Sequence, residues 1–217
     1  MKVALVDMDY TLVDIAQPDL FENIVMQILS KTFGRQVSKE QAHEIVRGDP
    51  AWLAEEGMRD EFWAKFDLET PGLRLRAIQA GTMRAMPGAH RLLSELESRG
   101  YYIALVTNAP EASAKVALDY LWLRNYLDAV SFSNNTPIKP HPEMAQRVLR
   151  GLRNIESVFF LGDSGYDISC GKNLSKAIGL PVTTVYFDHG RKGNVHGADF
   201  VITKLDEVIE LLQTGKI

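Results

Sequence analysis

Lys2–Asp14, KVALVDMDYTLVD, opens as a run of apolar and β-branched residues and stops abruptly on two carboxylates, Asp7 and Asp9, with a hydroxyl at Thr11. A short run of this kind suits a strand in the interior of an α/β sheet, and the residues just past its carboxyl end sit where such sheets bind ligands. An aspartate after a strand is also an ordinary turn former or helix cap, so the pair gains weight only from what answers it elsewhere. Tyr101–Thr107, YYIALVT, is a second apolar strand that ends in a hydroxyl and is followed by Asn108. Lys139 lies in the turn-rich IKPHPE, and Val158–Leu161 runs into Gly162-Asp163-Ser164 with Asp167 beyond. Strand ends thus carry Asp, Thr, Lys and Asp in chain order.

From Pro87 onward apolar strands alternate with amphipathic helices, the signature of βα units and a parallel sheet. Strands are predicted near Val3–Val6, Ile103–Val106, Val130–Phe132, Val158–Leu161, Val182–Tyr186 and Phe200–Ile202. The helix after Gly88 carries Leu92, Leu93 and Leu96 on one stripe, and Gly100 stands where a left-handed residue ends a helix. Residues 15–85 read differently, as helices with no intervening strand. Phe21, Ile24, Val25, Ile28 and Leu29 follow the spacing of one apolar helix face, and Ser38 with Gln41 forms a capping box for the next helix. Further helical stretches are expected through Glu61–Phe66 and Leu75–Met86.

The order of the four motifs resembles the haloacid dehalogenase-like superfamily, whose members carry DxDx[TV], a hydroxyl, a lysine and GDxxxD. PGAHRLLSELESRGYYIALVTN resembles the helix and strand that deliver that family's hydroxyl, and GDSGYDISCGKNLSKAIGL resembles its fourth-motif strand, loop and helix. The resemblance implies an α/β fold: a Rossmann-like three-layer core with a mostly parallel sheet, formed by residues 1–14 and 86–217, and an all-helical C1-type cap over 15–85. The linkers between them fall near Asp14–Pro18 and Met83–Pro87. One departure is Tyr10, where the family has Gly, so crowding is expected in the loop beside Asp9.

If the strands are parallel neighbours, Asp7, Asp9, Asp163 and Asp167 converge. Carboxylates that close repel strongly, and either protons or a cation must neutralise them. Oxygen ligands without His or Cys favour a hard ion such as Mg²⁺. By resemblance, Asp7 and Asp163 give side-chain oxygens to the metal, Asp9 gives its backbone carbonyl, and Asp167 supports the metal's waters or Lys139. Thr107, Asn108 and Lys139 would bind a phosphate. Phosphoryl transfer depends on positioning and on charge neutralisation at the phosphoryl oxygens, which such a set supplies. Asp7 is then the nucleophile that forms an aspartyl phosphate, and Asp9 the general acid and base, its side chain free for that work. The resemblance implies a Mg²⁺-dependent phosphatase of a small phosphorylated metabolite.

Each assignment has an ordinary rival. Lys139 between prolines could be a solvated loop lysine; Thr107 or Asn108 could cap the helix that begins at Pro110, and Ser164 or Asp167 the helix after Gly162. His141 reads as an exposed turn residue and Cys170 as packing. Trp52, Trp63 and Phe66 read as cap packing, with one of them a candidate for the pocket wall. Arg47, in Arg47-Gly48-Asp49, falls where caps of this type carry a substrate-reading loop, and an arginine on a solvated helix end is the alternative. VDIAQPDL resembles, with one residue extra, a VDSxPDL segment of phosphoglycolate phosphatases.

Rival functions stay open. A phosphosugar mutase of the same superfamily shares the core chemistry, but such mutases carry a histidine where this chain has Asp19. A metal-independent 2-haloacid dehalogenase lacks an acid at the position of Asp9. A non-catalytic phosphate-binding module would be expected to lack one of the catalytic residues. The 217 residues allow one buried domain with an insertion, and a formal charge of −4 leaves no basic footprint for nucleic acid. A single cysteine rules out an internal disulfide and fits a reducing cytoplasm, and a chain that starts on a strand, without a basic-then-apolar leader or a spanning apolar run, is expected to be cytoplasmic, without a membrane, as a monomer or homodimer.

Overall fold

The computed structural model describes residues 1–17, 19–47, 50–133, 137–189, 193 and 196–217, without the side chain of Arg47. β1 (Lys2–Val6) is followed by a short β2 (Val13–Ile15) and by the helices α1 (Leu20–Phe33), α2 (Lys39–Arg47), α3 (Ala51–Glu55) and α4 (Arg59–Gln79). The chain then returns through β3 (Met83–Ala85) to α5 (Ala89–Ser98), β4 (Tyr102–Val106), α6 (Glu111–Tyr120), β5 (Ala129–Ser131) and α7 (Glu143–Leu149). It closes with β6 (Ser157–Gly162), α8 (Gly165–Ile178), β7 (Val182–Phe187), β8 (Phe200–Ile202) and α9 (Asp206–Gln213).

Six strands form one sheet in the order β5-β4-β1-β6-β7-β8, every pairing parallel. β1 lies at the centre, flanked by the two strands whose connections leave in opposite directions, so the crevice at its carboxyl end is the switch point where such sheets bind ligands. Register fixes this closely: Val6 stands beside Leu105 on one side and Leu161 on the other, so the residues that follow β1, β4 and β6 emerge side by side. The sheet is buried on both faces. Val3 and Leu5 pack with Met144, Val148 and Leu174 from α7 and α8, whereas Ala4 and Val6 share a cluster with Leu92, Leu96, Leu118 and Ile209 from α5, α6 and α9. Alternate residues of one strand thus supply two cores, as a period of two requires.

The six predicted strands are present with ends shifted by a residue or two. Phe21, Ile24, Val25, Ile28 and Leu29 are all buried along α1. The capping box exists, with Ser38 N–H donating to Gln41 Oε1 at 3.0 Å and Gln41 N–H to Ser38 Oγ at 3.2 Å. Gly100 takes φ +71° and donates to Glu97 O at 2.9 Å.

Two expectations for residues 15–85 need correction. The entry and exit of the helical insert pair as an antiparallel ribbon, Val13 with Ala85, Asp14 with Arg84 and Ile15 with Met83. Each strand is only three residues long, too short for its alternation of buried and exposed positions to stand out in sequence. The stretches expected at 61–66 and 75–86 are one helix, α4, which runs through Pro71 and stops at Gln79. Proline removes only the one helical hydrogen bond that its own N–H would donate to the carbonyl four residues back. α4 packs along α6, and the apolar residues of the insert are continuous with those of the sheet's near face.

Candidate active site

The loop after β1 stays tied to the sheet, because Asp7 N–H donates to Leu161 O at 2.9 Å. It turns sharply at Tyr10, whose φ of +59° lies in the left-handed region. That is the physical reason glycine suits this position: a side chain there costs roughly 1–2 kcal/mol. Tyr10 adopts the conformation all the same, with its N–H donating to Val13 O at 2.8 Å, and it lines the cleft.

Asp7 is buried and held on both oxygens. Oδ1 accepts from Lys139 Nζ at 2.5 Å and Oδ2 from Thr11 Oγ1 at 3.2 Å. Lys139 is no solvated loop residue: it is 3% exposed, and Nζ also donates to Asp167 Oδ1 at 2.7 Å and Val106 O at 2.9 Å. Its three donors are therefore all used. The loop that carries it is pinned to the end of β4 by a reciprocal pair, Lys139 N–H donating to Asn108 Oδ1 at 2.9 Å and Asn108 Nδ2 to Lys139 O at 3.3 Å. Asp167 does two things at once. Its Oδ2 accepts from Ser164 N–H at 3.0 Å and Ser164 Oγ at 2.5 Å in a capping box that starts α8, while Oδ1 holds the lysine. The helix cap and the contact with Lys139 coexist.

Gly162 makes this packing possible. A Cβ there would meet Asp167 Cβ and Cγ at 2.3 Å, far inside any real contact, so only glycine lets the first turn of α8 fold back against the end of β6. Thr107 is buried, its N–H donating to Ser131 O at 3.1 Å and its Oγ1 accepting from Ala109 N–H at 3.1 Å. Neither Thr107 nor Asn108 caps α6, which starts after Pro110 without a side-chain cap. His141 is exposed in its turn, as expected, and burial raises the Cys170 thiol to about 12, which leaves it inert.

One ammonium faces two carboxylates here, and the charge is not balanced. Burial pushes the Asp7 carboxyl up to about 7; Lys139 opposes the rise and Asp167 adds to it. Burial alone would draw Lys139 down, but Asp167 and Asp7 outweigh it and hold the ammonium above the ordinary lysine range. Asp163 completes the group: oxygens of Asp7, Asp163 and Asp167 lie within 4.8 Å of one another. A compact all-carboxylate donor set carrying surplus negative charge fits a hard divalent cation such as Mg²⁺.

Asp9 departs from expectation. Its carboxylate, expected to be free, is held by both ends of a guanidinium: Arg74 Nη1 donates to Oδ1 at 2.7 Å and Nη2 to Oδ2 at 2.6 Å. Sequence reasoning overlooked Arg74. The signal was present, because Phe62, Phe66, Thr70 and Arg74 continue one buried row of α4 at intervals of four, and an arginine in such a row needs a buried partner.

These groups line a cleft of about 980 Å³ between the carboxyl ends of the strands and the insert. Asp7, Asp9, Thr107, Asn108, Lys139 and Asp163 form its floor, and Phe21, Glu22, His43, Trp63 and Phe66 face them from the insert. Trp63 packs edge-on against Phe62 and Phe66, which stack on each other, so Trp63 and Phe66 both pack the insert and line the cleft. His43 Nδ1 and Glu22 Oε1 pair at 2.8 Å on the same wall. Arg47 ends α2, but its side chain, with Gly48 and Asp49, lies outside the described residues.

The sequence pattern of haloacid dehalogenase-like hydrolases matches residues 1–174. A phosphoglycolate phosphatase of Aquifex aeolicus is 25% identical over 228 aligned positions, covering 98% of this chain and 97% of that protein. A glyceraldehyde 3-phosphate phosphatase of Pyrococcus furiosus is 27% identical over 139 positions, 60% of this chain and 55% of its own. The chain spans about half the length of several of the curated relatives it matches. Among solved structures, a HAD phosphatase from Thermococcus onnurineus superposes with a TM-score of 0.67 at 26% identity, covering 98% of both chains.

Proposed function

The chain belongs to the haloacid dehalogenase-like hydrolases, and we propose that it is a Mg²⁺-dependent phosphatase of a small phosphorylated metabolite. The observation that carries this reading is the buried group of Asp7, Lys139, Asp163 and Asp167 at the switch point of the sheet, with its surplus negative charge facing a cleft. The kinship with phosphatases of Aquifex and Thermococcus supports it. Residues 15–85 act as the cap over a core of 1–14 and 86–217, the β2–β3 ribbon serving as its stalk.

Asp7 and Asp163, with the backbone carbonyl of Asp9, would hold the ion, which when bound neutralises the phosphoryl oxygens. Asp167 has both oxygens occupied by Lys139 and Ser164, so it acts as the support of the lysine. Lys139, Thr107 and Asn108 receive the phosphate. A carboxylate oxygen of Asp7 attacks phosphorus, the ester P–O bond breaks, and Asp9 gives a proton to the leaving oxygen. Water then attacks the aspartyl phosphate, Asp9 takes a proton from it, and the Asp7 carboxylate is released with inorganic phosphate. Glu22, His43 and Trp63 face the leaving group, and Arg47 is kept as a substrate-reading candidate on the sequence resemblance alone. Hydrolysis is favoured over a mutase because Asp19 stands where such mutases carry histidine. No helix among the described residues is long and apolar enough to cross a membrane; we place the enzyme in the cytoplasm, as a monomer or homodimer.

Release of phosphate from 4-nitrophenyl phosphate tests the reading. Turnover that needs Mg²⁺, stops with EDTA and is abolished in a folded Asp7→Asn variant is the expected result. Turnover retained in that variant would remove the aspartyl-phosphate route. A panel of phosphorylated metabolites then identifies the leaving group.

A further inference from the structure

Arg74 is charged yet 1% exposed, and separate segments of the chain fix it. It is carried by α4. Its Nε donates to Ser113 Oγ of α6 at 2.7 Å, its guanidinium lies 4.7 Å from the centre of the Phe21 ring of α1, and Nη1 sits 3.9 Å from Met83 Sδ of β3. The two terminal nitrogens go to Asp9. A guanidinium so enclosed cannot swing aside without leaving a buried charge unpaired. It is therefore a rigid fork, and its partner Asp9 stands on the loop after β1.

A carboxylate has about four acceptor directions. Arg74 takes one on each oxygen, and Asp9 still lines the cleft, so the pair fixes the plane of the carboxylate while leaving acceptor capacity toward substrate. Arginine keeps its proton throughout, so it can hold Asp9 through both halves of a proton-transfer cycle. Because the fork is carried by α4 and anchored on Ser113 of α6, the plane of the carboxylate is set by how α4 packs on α6. We propose that Arg74 is a positioning residue that aims Asp9 at the leaving-group oxygen. This rests on the role given to Asp9 under the proposed function.

The test compares kcat/KM, which reports the first phosphoryl transfer, for phenyl phosphate and 4-nitrophenyl phosphate. The two esters have nearly the same shape, but phenolate leaves poorly without a proton and nitrophenolate leaves readily. In Arg74→Met, kcat/KM should fall about 100-fold for phenyl phosphate and less than about tenfold for the nitro ester, with the Mg²⁺ requirement unchanged. Asp9→Asn should show the same selectivity, and the double variant should be no worse than Asp9→Asn alone. Arg74→Lys, which keeps the charge without the fork, should lie between wild type and Arg74→Met. Ser113→Ala, which loosens the fork without removing its charge, should show the same selectivity in smaller measure and replaces Arg74→Met if that variant does not fold. Equal losses on both esters, or additive losses in the double variant, overturn the positioning role and leave the phosphatase reading standing. A wild-type protein that cleaves neither ester with Mg²⁺ overturns the phosphatase reading and this one with it.

Discussion

Asp7→Asn should destroy activity and stabilise the protein in the same stroke. The folded carboxyl has a pKa of about 7 against an ordinary 3.8. Below the ordinary value it is protonated in both states and costs nothing. As pH rises from about 4 to 7 the unfolded chain releases the proton while the folded chain retains it, so stability falls, and above 7 the full cost persists. Roughly three pKa units at 1.36 kcal/mol each set an upper bound of about 4 kcal/mol. The pull of Lys139 is already contained in that value, and relaxation and water penetration around a buried charge bring the expected gain to about 2 kcal/mol. For a chain of this size that is about 4–8 °C in Tm. The assay is thermal unfolding of wild type and variant in EDTA between pH 4.5 and 8.5. The difference should be smallest at the acid end, grow through pH 5–7 and level off above 7, and saturating Mg²⁺ should shrink or reverse it by stabilising wild type alone. A variant less stable than wild type at pH 8 in EDTA, or a difference independent of pH, would refute the argument that the ion-free site carries an uncompensated buried charge.

The same proton competes with the metal. Apparent Mg²⁺ affinity, measured by calorimetry, should weaken by up to about tenfold per pH unit below pH 7 and change little from 7.5 to 8.5, because Asp7 must shed its proton to bind. Gly162→Ala would put a methyl 2.3 Å from Asp167 Cβ, so a loss of about 1–3 kcal/mol is expected in thermal melts, together with a fall in kcat as Asp167 shifts off Lys139; a variant with wild-type Tm and kcat would contradict this packing. Cys170, buried with its thiol raised to about 12, should resist Ellman's reagent in the folded protein and react fully in guanidinium, and fast labelling without denaturant would show the site to be open.

Much of the site was legible because its residues are tied to strand ends. Asp7, Thr107 and Asp163 each follow a short apolar run, and once those runs are parallel neighbours their carboxyl ends must lie together. Tyr10 shows the opposite limit: the departure from glycine was visible, but only the backbone shows that the residue takes a left-handed φ and still fits. The helical stretches expected apart at 61–66 and 75–86 and the missed β2–β3 ribbon have one reason, that tertiary context overrules local signals: packing of α4 on α6 carries the helix through Pro71, and the ribbon forms by pairing across the whole insert. Ser164 and Asp167 were read as either cap or site, and the two oxygens of Asp167 allow both.

The sequence by itself determined the α/β core, the helical insert and the set of carboxylates, hydroxyl and lysine, because hydrophobic periodicity and strand-end placement are properties of neighbouring residues. Only the tertiary structure decided what those groups do to one another: that Lys139 is shared by Asp7 and Asp167, so that one buried ammonium faces two carboxylates, and that Arg74 reaches across 65 residues to grip Asp9. Pair energies of buried charges depend on distance and on the exclusion of water, and both are set by how the insert closes on the sheet.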